Sequence, residues 1–160
     1  MSDPAPFRTP QYQANDLLEP RMRPILLVED DPVDQEMIGL AFTRASVANR
    51  VITMANGQEA LDYLMAPGRE TVLPAVIILD LNMPLMDGFE FLRRIKAEPR
   101  FAAIPVVVLT TSQFDRDLTQ SYALGASSCL TKPGDFEQLV KMAAEVDQYW
   151  CRRNRIPESG

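Results

Sequence analysis

Acidic side chains at the ends of apolar runs are the first chemistry this sequence offers. Val76-Ile77-Ile78-Leu79 runs straight into Asp80. Such a run reads as a strand buried on both faces, and open parallel α/β sheets bind ligands outside the carboxyl ends of their strands. Three other runs end in the same manner. Ile25-Leu26-Leu27-Val28 leads into Glu29-Asp30-Asp31, Pro105-Val106-Val107-Val108-Leu109 into Thr110-Thr111, and Ser128-Cys129-Leu130-Thr131 into Lys132-Pro133. Taken singly, a strand-end threonine, a lysine and loop acids need no function. Their coincidence at four strand ends asks for one.

Asp30 and Asp80 belong on neighbouring strands, with Glu29 close by. Three carboxylates within a few ångströms repel unless protonated or neutralised, and a hard divalent cation with oxygen ligands, Mg²⁺, is the economical solution. Asp31 precedes Pro32 at a helix start, so capping is a sufficient role for Asp31 and Asp34. Thr110 offers a hydroxyl to an oxygen-rich ligand on Asp80, and Lys132 an ammonium; its bond to Pro133 is a candidate for the cis form. The set contains no base poised near neutrality and no Gly-rich phosphate loop. It suits a carboxylate, Asp80, that accepts a phosphoryl group as an acyl phosphate while Mg²⁺ and Lys132 neutralise the transferring oxygens.

The elements that must deliver these groups alternate regularly. Strands at 25–28, 51–54, 76–79, 105–109 and 128–131 are separated by helical patterns. These run from Val33 to Thr43 or Ala45, along Ala60, Leu61, Leu64 and Met65, along Phe89, Phe91, Leu92 and Ile95, along Leu118, Tyr122 and Leu124, and from Phe136 to about Arg152. Five polar caps with an acid or amide three residues on mark the helix starts: Asp31 with Asp34, Asn56 with Glu59, Asp87 with Glu90, Ser112 with Asp115, Asp135 with Gln138. Strand–helix repetition implies right-handed βαβ units. The expected fold is therefore α/β, a flavodoxin-like (βα)5 doubly wound parallel sheet of order 2-1-3-4-5. Residues 1–23, with Pro4, Pro6, Pro10 and Pro20, read as an extended N-terminal arm, 24–152 as the domain, 66–74 as a long loop, and 153–160 as a C-terminal tail.

Composition narrows the function classes. The 160 residues are 46% hydrophobic and 24% charged, with a net charge of −6. That is an ordinary globule and a poor candidate for nucleic acid, whose phosphates need clustered Lys and Arg. No apolar stretch approaches a membrane span, and the first residues lack a basic and apolar secretory pattern, so a cytoplasmic setting is expected. Two cysteines make neither a disulfide framework nor a zinc site. The absence of histidine removes Ser-His-Asp triads and phosphohistidine carriers.

Val28-Glu29-Asp30, Leu79-Asp80-Leu81-Asn82-Met83-Pro84 with Asp87-Gly88, Thr110, and Lys132-Pro133 together resemble the receiver domain of two-component response regulators, over about Ile25 to Trp150. The resemblance implies that Asp80 is the phosphoacceptor, with slow self-dephosphorylation as its only turnover. It further implies that Asp30, Asp80 and the main-chain carbonyl of Asn82 ligate Mg²⁺, that Glu29 acts through water, that Thr110 is the switch hydroxyl, and that Lys132 contacts the phosphoryl group. The segments 105–112 and 128–132, and a last helix ending Tyr149-Trp150, are similar to stand-alone regulators paired with bacterial phytochromes, which implies a phytochrome-type sensor histidine kinase as partner. One departure stands out: Cys129 occupies the position where receivers usually carry an aromatic switch residue. No stretch of the sequence resembles an effector domain, so an output through protein contact, or a role in phosphate storage, is expected.

Two rivals remain open. An aspartyl-phosphate phosphohydrolase would want a second acid two residues after Asp80, where Asn82 stands and cannot transfer protons. A phosphorylation-independent dimerisation module would not need Asp30, Asp80, Thr110 and Lys132 together. A homodimer is nonetheless expected through the last helix and the neighbouring strand. There Phe136, Leu139, Val140, Ala143 and Val146 form the core stripe, while Met142, Tyr149 and Trp150 fall off it.

Overall fold

The computed structural model describes residues 22–66 and 72–157. The expected arm falls almost wholly outside them, as do most of the 66–74 loop and the end of the tail. The elements follow in strict alternation: β1 (Ile25–Val28), α1 (Pro32–Arg44), β2 (Val51–Met54), α2 (Gly57–Met65), β3 (Val76–Leu79), α3 (Gly88–Ala97), β4 (Val106–Thr110), α4 (Asp115–Ala123), β5 (Ser128–Thr131) and α5 (Phe136–Val146), the last continuing as a π-helical segment, Asp147–Arg153. The strands form one parallel sheet of order β2-β1-β3-β4-β5, as the apolar runs imply.

β1, β3 and β4 are buried at every position, which is what continuous β-branched and leucine runs require between two helical layers. Leu26, Val28, Ile77, Leu79, Val106 and Val108 face α2 and α3. The alternate residues, Ile25, Leu27, Val76, Ile78, Val107 and Leu109, face α1 and α5. The edge strands β2 and β5 are only partly covered.

Helix capping follows the sequence at four of the five starts. Asp31 accepts from the N–H groups of Val33 and Asp34, Asn56 from Glu59, Asp87 from Glu90, and Asp135 from Gln138. The fifth expectation fails. α4 begins after Phe114, with no side-chain cap, because the Ser112 hydroxyl instead donates to Asp117 at 2.5 Å and accepts the Phe114 N–H at 3.3 Å. The Lys132–Pro133 bond is not cis. Met142, expected off the core stripe, is buried beside Leu139, Ala143 and Val146, and Trp150 packs partly against the same cluster. Tyr149 is exposed, and Met65, assigned to the inner stripe of α2, faces solvent.

Candidate functional site

Sheet register brings the predicted groups together. Val28 lies opposite Leu79 in the β1–β3 pair, so Glu29 and Asp80 leave adjacent strands at the same level and Asp30 follows one residue on. The Asp80 N–H donates to Val28 O (3.0 Å), and the Lys132 N–H donates to Thr110 O (2.8 Å), extending the ladder one residue past each strand. One carboxylate oxygen from each of Glu29, Asp30 and Asp80 falls within 4.8 Å of the others. Glu29 is 2% exposed, Asp80 8% and Thr110 9%. These are polar groups carried into the protein by apolar strands, a placement that costs free energy unless it is compensated.

The compensation is visible. Lys132 Nζ donates to Glu29 Oε2 (3.0 Å) and to Asp34 Oδ2 (2.9 Å). Glu29 Oε1 accepts the Asp31 N–H at 3.2 Å, and its carbonyl accepts from Gln35 Nε2 at 2.6 Å. Burial pushes the Glu29 carboxyl up to about 7; the Lys132 hydrogen bond opposes that rise and the charge of Asp80 adds to it. Burial raises Asp80 as well, against the pull of Lys132. Burial would lower the Lys132 ammonium, yet the bonds to Asp34 and Glu29 outweigh it and hold the group above its ordinary value. The acid cluster is thus under-neutralised by the protein alone. A hard cation with oxygen ligands fits it: three carboxylates converge, two of them with weakened acidity, and no nitrogen or sulfur donor joins the group.

The loop after β3 is folded tightly over Asp80. The Asn82 N–H reaches Asp80 Oδ1 at 3.4 Å, while the Asn82 side chain is exposed. Gly88 donates to Leu81 O at 2.9 Å, and a Cβ there would stand 2.5 Å from Asp80 O and 2.7 Å from Leu81 Cα. Only glycine lets α3 start so close to the strand end. Between Pro84 and Met86 the chain makes a three-residue turn, the Met86 N–H donating to Pro84 O at 2.9 Å around Leu85 at φ 68°. Leu85 is 89% exposed.

Thr110 Oγ1 accepts the Ser112 N–H at 3.0 Å, tying the hydroxyl to the loop that opens α4. A cavity of about 290 Å³ lies behind that loop, lined by Leu81, Val108, Thr110, Phe114, Leu118 and Cys129 among others. Burial pushes the Cys129 thiol up, against the hydrogen bonds of Ser121 and Tyr122.

The family-model comparison matches residues 25–144 to the response regulator receiver domain. The chain belongs to that family. Among curated receivers, it is 43% identical over 134 residues to a probable methanogenesis regulatory protein, FilR2, of Methanothrix harundinacea, spanning 83% of this chain and 86% of that one. It is 35% identical to the response regulator Rcp1 of Synechocystis, over 83% of this chain and 92% of that protein. Of solved structures, the phosphorylated cyanobacterial phytochrome response regulator RcpA matches with a TM-score of 0.76 at 34% identity, covering 85% of this chain and 99% of that one. A bacteriophytochrome response regulator, AtBRR, gives 0.68 at 41% identity, over 85% and 100%. The Mn²⁺-bound form of Rcp1 gives 0.74 at 34%, over 84% and 99%. This receiver's relatives therefore include phytochrome-associated response regulators, and one of them carries a divalent metal. Among the described residues no helix is long and apolar enough to cross a membrane.

Glu29, Asp30 and Asp80 meet as the sequence predicts, with Thr110 and Lys132 at neighbouring strand ends. Lys132 differs in its partner: its close ion pairs are with Glu29 and Asp34, and Asp80 lies farther off. Asp34 is thus more than a helix-start acid, which corrects the capping role assigned to it. Its signal was masked because it stands three residues after Asp31, in the capping-box position, while its true partner is 98 residues away. Gln35 was missed although its partner, the Glu29 carbonyl, is only six residues back, because a first-turn glutamine carries no signal of its own. The close approach at Gly88 had a signal, the Asp87-Gly88 pair after Pro84, whose contact with Asp80 needed coordinates to appear.

Proposed function

We propose that this receiver is a phosphorylation switch in which Asp80 accepts a phosphoryl group from a phosphohistidine of a sensor histidine kinase, of phytochrome type, in the cytoplasm. The observation that carries the reading is the convergence of Glu29, Asp30 and Asp80 within 4.8 Å, with an ammonium beside them. In the transfer, the Asp80 carboxylate attacks phosphorus. A P–O bond forms as the P–N bond to the donor imidazole breaks, and no proton need leave Asp80. Asp30 and Asp80, with the main-chain carbonyl of Asn82, would hold Mg²⁺, and Glu29 would hold one of its waters. That cation, when bound, supplies charge neutralisation to the transferring oxygens. Lys132 supplies the second positive charge. Thr110 donates its hydroxyl to the new phosphoryl group, while its oxygen is the acceptor of the Ser112 N–H.

Residues 24–152 would then be the receiver, flanked by the arm at 1–23 and a tail at 153–160. Output passes through protein contacts and a homodimer that uses the last helix and β5, with Tyr149 as an exposed anchor.

Intact-mass measurement with Mg²⁺ and acetyl phosphate tests the reading. The wild type gains one phosphoryl group, labile to hydroxylamine; Asp80→Asn gains none. Labelling that persists in Asp80→Asn moves the acceptor elsewhere. Light scattering on the same samples reports a mass about twice that of the monomer.

A further inference from the structure

The described ion pairs leave Lys132 in an unexpected position. A receiver of phosphoryl groups needs two positive charges in one crevice, an ammonium and a divalent cation, and like charges a few ångströms apart oppose each other. If the ammonium folds directly onto Asp80, it occupies the charge the cation requires. Here it does not. Lys132 Nζ is bracketed by Glu29 Oε2 at 3.0 Å and Asp34 Oδ2 at 2.9 Å, with 13% of its side chain exposed. Asp34 is the member of this set that stands outside the converging triad of Glu29, Asp30 and Asp80. It comes from the first turn of α1, where the Asp31 N–H that a capping-box acid would accept already donates to Glu29 Oε1 at 3.2 Å, which leaves the Asp34 carboxylate to Lys132.

We infer that Asp34 is a positioning residue for Lys132. It draws the ammonium to the α1 side of the crevice, against Glu29 and away from Asp30 and Asp80, leaves those two carboxylates open to a divalent cation, and releases the ammonium when a phosphoryl group on Asp80 offers it more negative charge. This rests on the phosphoacceptor reading for its last step, but not for the first two. Asp34 touches neither the cation nor the reacting atoms; it acts through Lys132.

The consequence is a dependence that a structural role would not produce. With Asp34→Asn, Lys132 retains Glu29 and turns toward Asp80, so the ammonium competes with the cation. Mg²⁺ affinity then falls by about tenfold, the scale of one unit charge moved several ångströms closer under solvent-screened conditions. In labelling by acetyl phosphate, the Mg²⁺ concentration for half-maximal rate rises far more than the rate at saturating Mg²⁺ falls, and Asp34→Glu restores most of the difference.

The deciding experiment is a double-mutant cycle read by calorimetric Mg²⁺ titration: wild type, Asp34→Asn, Lys132→Gln, and the pair, with Lys132→Met as a second replacement. We expect the Asp34→Asn penalty to vanish once Lys132 is gone. A penalty that persists without Lys132 means Asp34 acts on the cation directly, and an Asp34→Asn protein with wild-type Mg²⁺ affinity means it does not act at all; either result overturns the inference. If the wild type binds Mg²⁺ and the cycle behaves as expected but no phosphoryl group is taken up, the phosphoacceptor reading fails while the positioning of Lys132 stands.

Discussion

The two flanks of the acid crevice are built to different standards. On one side, α1 buries Ile38, Ala41 and Phe42 against α5, which buries Leu139, Met142, Ala143 and Val146. Lys132 then clips that flank to the site with two charge-assisted bonds. On the other side, α4 buries a single residue, Ser121, whose hydroxyl turns back to its own helix at Asp117 O (2.7 Å). Phe114, Leu118 and Tyr122 are exposed, and a pocket opens between the helix and β5, bridged where the Tyr122 hydroxyl accepts the Cys129 N–H at 3.2 Å. Local opening free energy follows buried apolar contact. Thr110 sits between the two flanks, and its hydroxyl is bonded to the loop that starts the loose one. A change at Asp80 therefore has one stiff neighbour and one compliant neighbour, and only the compliant one can report it cheaply.

Substitutions can break this contrast. Phe42→Ala should cost about 4 kcal/mol in chemical denaturation, as a fully buried aromatic does, whereas Leu118→Ala should cost less than about 1 kcal/mol. Equal losses would mean that α4 is as firmly packed as α1. At the base of the crevice, Gly88→Ala should cost about 2 kcal/mol, because its Cβ meets backbone rather than a flexible side chain. Gly39→Ala in α1, where a Cβ meets nothing within 4 Å, should instead stabilise by about 0.8 kcal/mol in the same titration. A gain of similar size sharpens the comparison: Phe114→Ser supplies the side-chain cap that α4 lacks and should stabilise by about 1 kcal/mol. Hydrogen exchange in that variant should slow within 115–123 and not within 32–44.

Legibility in the sequence followed the range of the interaction. The buried strands were readable because β1, β3 and β4 carry their burial in their own composition. Asn56, Asp87 and Asp135 were readable because a cap and its N–H lie three residues apart. The meeting of Asp30 with Asp80 was readable through one topological rule that fixes neighbouring strands. What escaped was pairing decided by folded geometry rather than by spacing. Asp34 has an adequate local explanation and a different partner in space. Ser112 has the right spacing to cap Asp115, yet its hydroxyl finds Asp117 instead. Met142 fell off a stripe drawn at the α-helical period, but a methionine is flexible enough to reach the core from the edge of that stripe. The roles of the site residues rest on the family pattern together with their convergence, and the convergence is the part that coordinates add.

The winding of the last helix has its own consequence. From Asp147 to Arg153 the chain is π-helical, and Arg152 Nε reaches Asp147 Oδ2 at 2.8 Å across a five-residue interval that an ordinary helical turn would not align. A π turn accommodates an additional residue without ending the helix, so this segment is a length buffer. A gain or loss of one residue here can be absorbed as a switch between two windings, leaving Leu139 to Val146 in place while rotating whatever follows. Tyr149 and Trp150 lie within that buffer, so a single-residue insertion or deletion would re-aim the exposed Tyr149 ring and the edge of the core that Trp150 covers.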